Sequence, residues 1–205
     1  MLKIDLYSDI VCPWCIIGQH RLDRVLRERF WDLDVDIEHH PFELHPGAPA
    51  GGFRLDEHFR QKGISDMSAA FIGLEGEARA SGLDLNLRLQ PYIYRTVHAH
   101  TLLRHARDRG TQHNLSMVIM KAYFFDRRNI SDKEVLSQIA MKHGFTVKEA
   151  WSILGDPREE AVSEQKTACS RAAGVRSVPT FNIGGVIVGG GSEDQITAAI
   201  ARSVR

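Results

Sequence analysis

The chain opens with an alternation of apolar and polar residues that is typical of a β-strand. From Leu2 to Leu6 every second residue is apolar, and the same period of two returns between Leu33 and His39. Between these two segments, apolar residues recur at helical spacing from Ile17 to Phe30. Pro13 stands where a helix tolerates proline, at its first position. The order strand, helix, strand predicts two parallel neighbouring strands.

A long helical stretch separates this start from a second group of strands. Prolines and glycines between residues 41 and 52 interrupt the pattern, and most of the following periodicity is helical. Residues 180–183 and 186–188 then favour two short strands, joined by the hairpin signal Gly184-Gly185. We therefore expect an α/β fold in which a large α-helical insertion interrupts a sheet domain. Residues 1–48 plus 172–205 would form the sheet domain, and residues 49–171 the inserted helical domain.

Helix boundaries inside the insertion are predicted from periodicity and from capping residues. Ser131 and Glu134 have the spacing of a capping box, and Gly144 is placed to end the helix that they begin. Ser192 is placed to cap a final helix after the last strand. The helix candidates of the insertion lie near residues 55–62, 66–81, 91–110, 112–127, 131–143, 146–154 and 157–173.

The charge and composition of the chain limit which binding partners and which cellular location we expect. The chain has 205 residues, and its 26 basic and 26 acidic residues give a net charge of zero. A neutral chain gives no electrostatic reason to expect nucleic acid or a membrane as partner. The start has no secretory signal pattern and no stretch is apolar enough to span a bilayer, which predicts a cytoplasmic protein. If the chain forms oligomers, a homodimer is the expected form.

The chemistry-bearing motif is Cys12-Pro13-Trp14-Cys15, directly after the first strand and at the start of the first helix. A Cys-x-x-Cys pair in this context is a redox signature. Cys12 would lie at the helix N-cap, where free N–H groups and the helix dipole favour a thiolate. We expect Cys12 to be the exposed attacking thiol and Cys15, one turn on, to resolve the mixed disulfide. Trp14 would offer an exposed aromatic contact to a partner.

Other interpretations of the cysteines are weaker. A zinc site needs about four ligands, and the chain has no second Cys pair, so we predict no metal. Two inert, buried cysteines remain a second alternative. The third cysteine, Cys169, has no Cys-x-x-Cys partner and is interpreted as a buried small hydrophobe.

A second feature is the dipeptide Val178-Pro179, just before a late strand. Proline is tolerated at a strand start, and this bond is a candidate cis peptide. A cis bond would leave the backbone N–H and C=O of Val178 available to an extended partner chain. We therefore count both residues, with Pro13 and Trp14, as candidate substrate-binding residues.

Together these motifs resemble the DsbA family of the thioredoxin superfamily, in its FrnE-like branch. The resemblance implies a thioredoxin-like fold, with residues 1–48 plus 172–205 as the thioredoxin-like domain and a large α-helical insertion domain over the active site. It implies that Cys12 is the nucleophile, Cys15 the resolving thiol and Pro179 a cis-proline facing them. It also points to His100, in an Ala-His element on a helix near the site, and to Arg95, where relatives tend to have Asn. Four stretches carry the resemblance, in the expected order along the chain: Ser8–Gly18, Pro41–Leu44, Ala122–Phe125 with Ile130–Asp132, and Gly174–Phe181.

The expected function is thiol–disulfide exchange with protein disulfides or dithiols, with no cofactor and with glutathione left open as a co-substrate. One alternative is a glutathione-dependent isomerase or transferase, of the 2-hydroxychromene-2-carboxylate isomerase or kappa-class type. Those relatives typically carry Ser where this chain has Cys12, which argues against them. Another alternative is a redox-controlled chaperone or polyketide-pathway accessory, in which the thiols act as a sensor.

Overall fold

A four-stranded mixed sheet flanked by nine helices forms the part of the chain that the computed structural model describes, residues 1–64 and 66–204. Short 3-10 turns at Leu87–Leu89 and Met141–His143 complete it. In chain order the elements are β1 (Leu2–Ser8), α1 (Pro13–Arg29), β2 (Val35–Pro41), β3 (Phe53–Arg54), α2 (Leu55–Gln61), α3 (Met67–Ala80), β4 (Tyr92–Ile93), α4 (Val97–Arg107), α5 (Gln112–Phe124), α6 (Lys133–Ala140), α7 (Val147–Gly155), α8 (Pro157–Ala172), β5 (Thr180–Ile183), β6 (Val186–Gly189) and α9 (Glu193–Ser203).

The sheet has the strand order β2-β1-β5-β6, which confirms the predicted α/β class. β1 and β2 are parallel neighbours, as the strand–helix–strand pattern predicted, while β5 and β6 form an antiparallel hairpin. Gly184 and Gly185 make the turn with φ of +54° and +91°, a region that favours glycine. β2 starts at Val35 rather than Leu33, because the Leu33 N–H donates to Phe30 O in the turn that follows α1.

Two apolar cores lie on either side of the motif Cys12–Cys15. The first joins one face of the sheet, with Ile4, Leu6 and Phe181 fully buried, to α1 and α9. The second joins the first turns of α1 to the helices between α3 and α7. Burial of each such side chain stabilises the fold by about 1.5–3 kcal/mol. The N-terminal turns of α1, with Cys12 and Cys15, belong to the second core, while Leu22 and Val25 belong to the first, so α1 is held by both cores. The proposed domain boundaries at residues 48 and 172 stay a prediction.

The prediction of one helix over residues 91–110 is wrong at its start. Tyr92–Ile93 instead forms β4, which pairs antiparallel with β3, and α4 begins only at Val97. Pro91 is compatible with a helix start, and Gln90 before it is extended, with φ −99° and ψ 98°, as a residue before proline tends to be. What decides this region is the pairing of β4 with β3, a segment distant in the sequence. A two-residue strand is too short to leave a periodic pattern in the sequence.

The predicted capping box at Ser131 is also wrong, by one residue. Asp132 caps α6 by accepting from the Glu134 N–H, while the Ser131 hydroxyl donates to Ala50 O and to the Asn129 carbonyl. Gly144 ends this segment with φ +86°, as expected. Ser192 caps α9 as predicted, and the other helices of the insertion lie within a few residues of their predicted bounds. None of the described helices is long and apolar enough to cross a membrane.

Candidate active site

The motif Cys12–Cys15 occupies the turn between β1 and α1. Cys12 has extended angles, φ −85° and ψ 116°, and is the N-cap of α1, with Pro13 at the first helical position. The Cys12 carbonyl accepts from the N–H groups of Cys15 and Ile16 at 3.0 and 3.3 Å. The first N–H groups of a helix have no partner inside it, and they favour negative charge. The N-terminus of α1 therefore places the positive end of the helix dipole beside the Cys12 side chain.

The Cys12 thiol faces the loop that precedes β5. Its Sγ lies 3.7 Å from Val178 O, the carbonyl of a Val178–Pro179 peptide bond that is cis. This contact covers the thiol, so that Cys12 is only 5% exposed and the expectation of an exposed sulfur is wrong. Trp14, in contrast, is 38% exposed, as expected of an aromatic available to a partner.

Cys15 lies behind Cys12 and is fully buried. Burial raises the pKa of the Cys15 thiol well above its ordinary value. A hydrogen bond with the Cys12 side chain and the electrostatic effect of Cys12 raise this pKa further. Both cysteines are free thiols in this structure. Of the two thiols, Cys12 therefore lies nearer the surface and Cys15 lies deeper, with its protonated form favoured.

Asp9, which the sequence analysis did not single out, supplies a buried carboxylate next to Cys15. Its oxygens accept from the N–H groups of Ile10 and Leu44 at 2.8 and 2.7 Å, and Oδ1 lies 3.3 Å from His100 Nε2. Burial alone would raise the pKa of Asp9, but these partners, His100 foremost, hold it below its usual value. The feature of the sequence that could have identified Asp9 is a charged residue directly after a buried strand, shortly before the motif.

His100 is thus brought to the site, but behind it. It is 4% exposed and contacts Asp9 rather than the face that carries Trp14. Arg95 does not direct its charge to the thiols, because it pairs with Glu160 at 2.8 Å and with Glu164, both on α8. Its Nε also lies 3.8 Å from the buried Glu43 carboxylate.

One side of the motif is a close-packed wall. A Cβ on Gly18 would lie 3.0 Å from Pro179 Cγ and 3.3 Å from Phe181 Cζ, and a Cβ on Gly191 only 2.7 Å from the Phe181 ring. We call Gly18, Pro179, Phe181 and Gly191 the tight wall. Only glycine allows α1 and the loop before β5 to approach so closely. This contact fixes the distance between the helix that carries Cys12 and the loop that carries Val178 O.

The other side opens into a cavity of about 270 Å³ between the motif and the helical region. We call it the apolar cavity and define its walls by Val11, Pro13, Leu55, Phe59, Ile93 and Phe124. Val11 and Pro13 are the chain neighbours of Cys12, so the space begins within one residue of the attacking thiol.

Metal-ligating side chains come together elsewhere in the described residues, not at the thiols. Asp5, Glu38 and His40 bring ligand atoms within 4.8 Å of one another on the polar face of the sheet. The Lys3 ammonium lies 3.3 Å from Asp5 and 3.1 Å from Glu38, and so already balances these carboxylates.

The prediction that Cys169 is buried is wrong. It lies on α8 and is exposed. The buried positions of α8 are polar, Ser163, Thr167 and Ser170. Because α8 contributes hydroxyl groups to the interior, the general tendency of free cysteine to be buried gave the wrong answer here.

Comparison with known proteins agrees with this architecture. The chain is 26% identical to protein YwbO of Bacillus subtilis, over 98% of this chain and 96% of that one. A probable DsbA oxidoreductase from Streptomyces coelicolor superposes with a TM-score of 0.87 and 26% identity, covering 100% of this chain and 90% of the other. The cytosolic disulfide reductase DsbM of Pseudomonas aeruginosa, solved with glutathione, has a TM-score of 0.67 at 15% identity, over 99% of both chains, and shares the fold. Residues 3–201 match the family model of the DSBA-like thioredoxin domain, and the chain belongs to this family.

Proposed function

We propose that this protein is a thiol–disulfide oxidoreductase or isomerase that acts through Cys12 and Cys15. The observation that carries the proposal is the arrangement of the two thiols. Cys12 begins α1 and contacts Val178 O, whereas Cys15 is fully buried one turn behind it. An outer thiol at a helix N-terminus suits attack, and an inner thiol suits resolution.

The reaction has two exchange steps. The Cys12 thiolate attacks one sulfur of a substrate disulfide, and the other substrate sulfur leaves as a thiolate. Cys15 then loses its proton and attacks Cys12 Sγ, which releases the second substrate thiolate and leaves a Cys12–Cys15 disulfide. The substrate gains two electrons and the protein loses two. In reverse, the same site oxidises a dithiol, and a partial cycle isomerises disulfides.

The proposed roles of the neighbouring residues follow from their positions. Pro13, Trp14, Val178 and Pro179 surround the outer thiol and would bind the substrate chain. His100 would act through Asp9 on the proton of Cys15, since its contact is with that carboxylate and not with the open side.

The proposed substrates are protein disulfides or dithiols, with glutathione as a candidate small thiol. Glutathione is included because the disulfide reductase DsbM, which shares this fold, was solved with glutathione. Membership of the FrnE-like branch, a cytoplasmic location and a homodimer stay predictions.

The central experiment measures insulin disulfide reduction and refolding of scrambled ribonuclease. Cys12→Ser is expected to bring both activities down to the rate without protein, because serine cannot form the mixed disulfide. Cys169→Ser is the matched control, since that thiol is exposed and outside the site, and it should leave both unchanged. Full activity of Cys12→Ser would overturn exchange and favour the glutathione-dependent isomerase class. Loss of activity in Cys169→Ser would mean that the proposal had identified the wrong thiol as the reacting one.

The order of the two thiols has a separate test. Cys15→Ser is expected to trap a mixed disulfide between Cys12 and the substrate, visible as an added mass that a reductant removes. His100→Gln should prolong the same intermediate in a protein that keeps both cysteines, while the first attack keeps its rate. A substrate adduct on Cys15 in the Cys12→Ser variant, with none on Cys12 in Cys15→Ser, would reverse the proposed roles.

The direction of electron flow is measured by the reduction potential of the pair. A value near about −120 mV would mark an oxidase, and one near about −270 mV a reductase. Equilibration with defined ratios of oxidised and reduced glutathione, followed by thiol labelling, gives this value directly.

A further inference from the structure

The apolar cavity lies in the path of any substrate that reaches Cys12 from the helical side. Val11 and Pro13 line it on either side of Cys12 in the chain, and consecutive Cα atoms are only about 3.8 Å apart. Leu55 and Phe59 of α2 and Phe124 of α5 form the opposite side. Cys12 itself does not line the space, but a group held there would contact both of its chain neighbours.

The deep polar atoms of the cavity are already bonded to the protein. The Gln90 amide donates to Tyr123 O at 2.7 Å and accepts from the Tyr92 N–H at 3.2 Å. The Tyr123 hydroxyl donates to Tyr92 O at 2.9 Å. Because these groups have their partners, the deep walls offer contact to carbon atoms and aromatic faces rather than hydrogen bonds.

The rim of the cavity is different, because beside the apolar Leu44 and Ile64 it carries polar side chains, and their polar atoms are all nitrogens. His45, His58 and Lys62 line it, and no carboxylate of the described residues does. Among the same residues, neither imidazole has a side-chain hydrogen bond and Lys62 has no ion pair. Burial lowers the pKa of His45 and His58, so both are neutral N–H donors near pH 7. The rim thus presents one positive charge and two donors, a set that suits a carboxylate.

The size of the space limits what it can hold. Its volume of about 270 Å³ equals the share of about nine molecules of liquid water. This is at the lower end of small-molecule sites, about 300–1,000 Å³. One or two aromatic rings fill it, and a folded peptide segment does not fit.

We propose that the apolar cavity binds the ring of a low-mass aromatic acid that carries a disulfide or thiol. The ring lies against Leu55 and Phe59, its carboxylate meets Lys62 and the two imidazoles at the rim, and its sulfur faces Cys12. This substrate class rests on the proposed exchange function. The electron balance is the same as in the proposed exchange reaction. The aromatic disulfide gains two electrons and leaves as two aryl thiolates, while Cys12 and Cys15 become a disulfide.

The test uses pre-reduced protein in single turnover, so that no reductant is needed, and a Cys169→Ser background, because that exposed thiol would react with the probes. The aromatic anionic probe is 5,5′-dithiobis(2-nitrobenzoate), and the aliphatic probe is hydroxyethyl disulfide. Leu55→Trp fills the cavity. Ile72→Trp is its control, since Ile72 lies on α3, is 61% exposed and does not line the space.

We expect Leu55→Trp to slow the second-order reaction with the aromatic probe about tenfold, equivalent to about 1.4 kcal/mol. The rate with hydroxyethyl disulfide should change less than about twofold, within the small effects typical of surface substitutions. Ile72→Trp should change neither rate. Equal slowing of both probes by Leu55→Trp, or no slowing of either, would overturn the proposal.

The charge at the rim has its own comparison. Lys62→Gln should slow the dianionic aromatic probe several-fold and leave neutral 2,2′-dithiodipyridine unchanged, with the difference shrinking as salt is added. Lys142→Gln, an exposed lysine away from the cavity, is the matched control. If Lys62→Gln affected the two aromatic probes equally, the rim would not recognise the carboxylate, and the proposed substrate would not need to be an acid.

Two further outcomes separate the hypotheses. If the unmodified site exchanges with neither probe, the proposed function itself fails. If it exchanges with both, and Leu55→Trp slows insulin reduction as much as it slows the aromatic probe, the cavity serves a polypeptide side chain and the small aromatic acid is wrong.

Discussion

The two sides of Cys12 differ in how closely they are packed. On the tight wall, a Cβ added to Gly18 would lie only 3.0 Å from Pro179 Cγ, and Phe181 is fully buried. On the other side, about 270 Å³ separates the same motif from Phe59 and its neighbours. One helix N-terminus therefore meets a close-packed surface and an open one.

The difference teaches which part of the site is fixed and which part is adaptable. Thiol exchange needs Cys12 and the Val178 carbonyl at a set separation, and close packing holds that distance because interiors resist small changes of volume. Substrate groups vary in shape, and space beside the thiol accommodates them without moving it. Substitutions on the two sides should therefore have different consequences for stability and for exchange.

The largest difference should come from removing one aromatic ring on each side. Phe181→Ala should lower the free energy of unfolding by about 3–5 kcal/mol, because the ring is fully buried and the tight wall cannot collapse to fill its place. Phe59→Ala should cost about 1–2 kcal/mol, since that ring is half-buried and borders existing space. Urea denaturation of both variants measures the contrast, and equal losses would mean that the two sides do not differ in packing.

A smaller effect should follow from adding a single methyl group to the tight wall. Gly18→Ala should destabilise the protein by about 1–2 kcal/mol, as the Pro179 ring must move, and should slow exchange because Val178 O moves with it. Gly73→Ala is the control, in the exposed interior of α3 with no atom near the added carbon. It should stabilise the fold by about 0.5–1 kcal/mol and leave exchange unchanged. Stabilisation by Gly18→Ala would show that the wall has room.

The smallest effect should come from an ion pair remote from both sides, which gives a baseline. Arg107 on α4 bonds the two oxygens of Asp36 on β2 at 2.5 and 2.6 Å, and this lowers the pKa of Asp36. Both groups are partly exposed, so Arg107→Met should cost about 0.5–1 kcal/mol at pH 7.

The pH dependence of this baseline has a definite sign. A carboxyl whose folded pKa is depressed stabilises the protein above its unfolded pKa, about 3.9, and loses that contribution as pH falls through the folded value. The difference between wild type and Arg107→Met should therefore shrink as pH falls below the unfolded value and vanish once Asp36 is protonated in the folded protein as well. Exchange rates should match wild type throughout, and a slower Arg107→Met would link this pair to the site.

Local patterns predicted well where the signal is carried by neighbours in sequence. The alternation from Leu2, the turn Gly184-Gly185 and the cap Ser192 all appear as expected. Elements defined by distant partners were missed, as with β4, which exists through its bonds to β3. The exposure of Cys169 was missed because α8, the helix that carries it, buries Ser and Thr side chains rather than apolar ones.

The sequence by itself determined the α/β class, the family resemblance and the motif Cys12–Cys15 at a helix start, since each depends on spacing along the chain. Only the tertiary structure decided that Cys12 is covered by Val178 O, that Asp9 and His100 lie behind Cys15, and that one side of the motif is closed and the other open. These features join segments up to 166 residues apart, and packing rather than local pattern sets their distances.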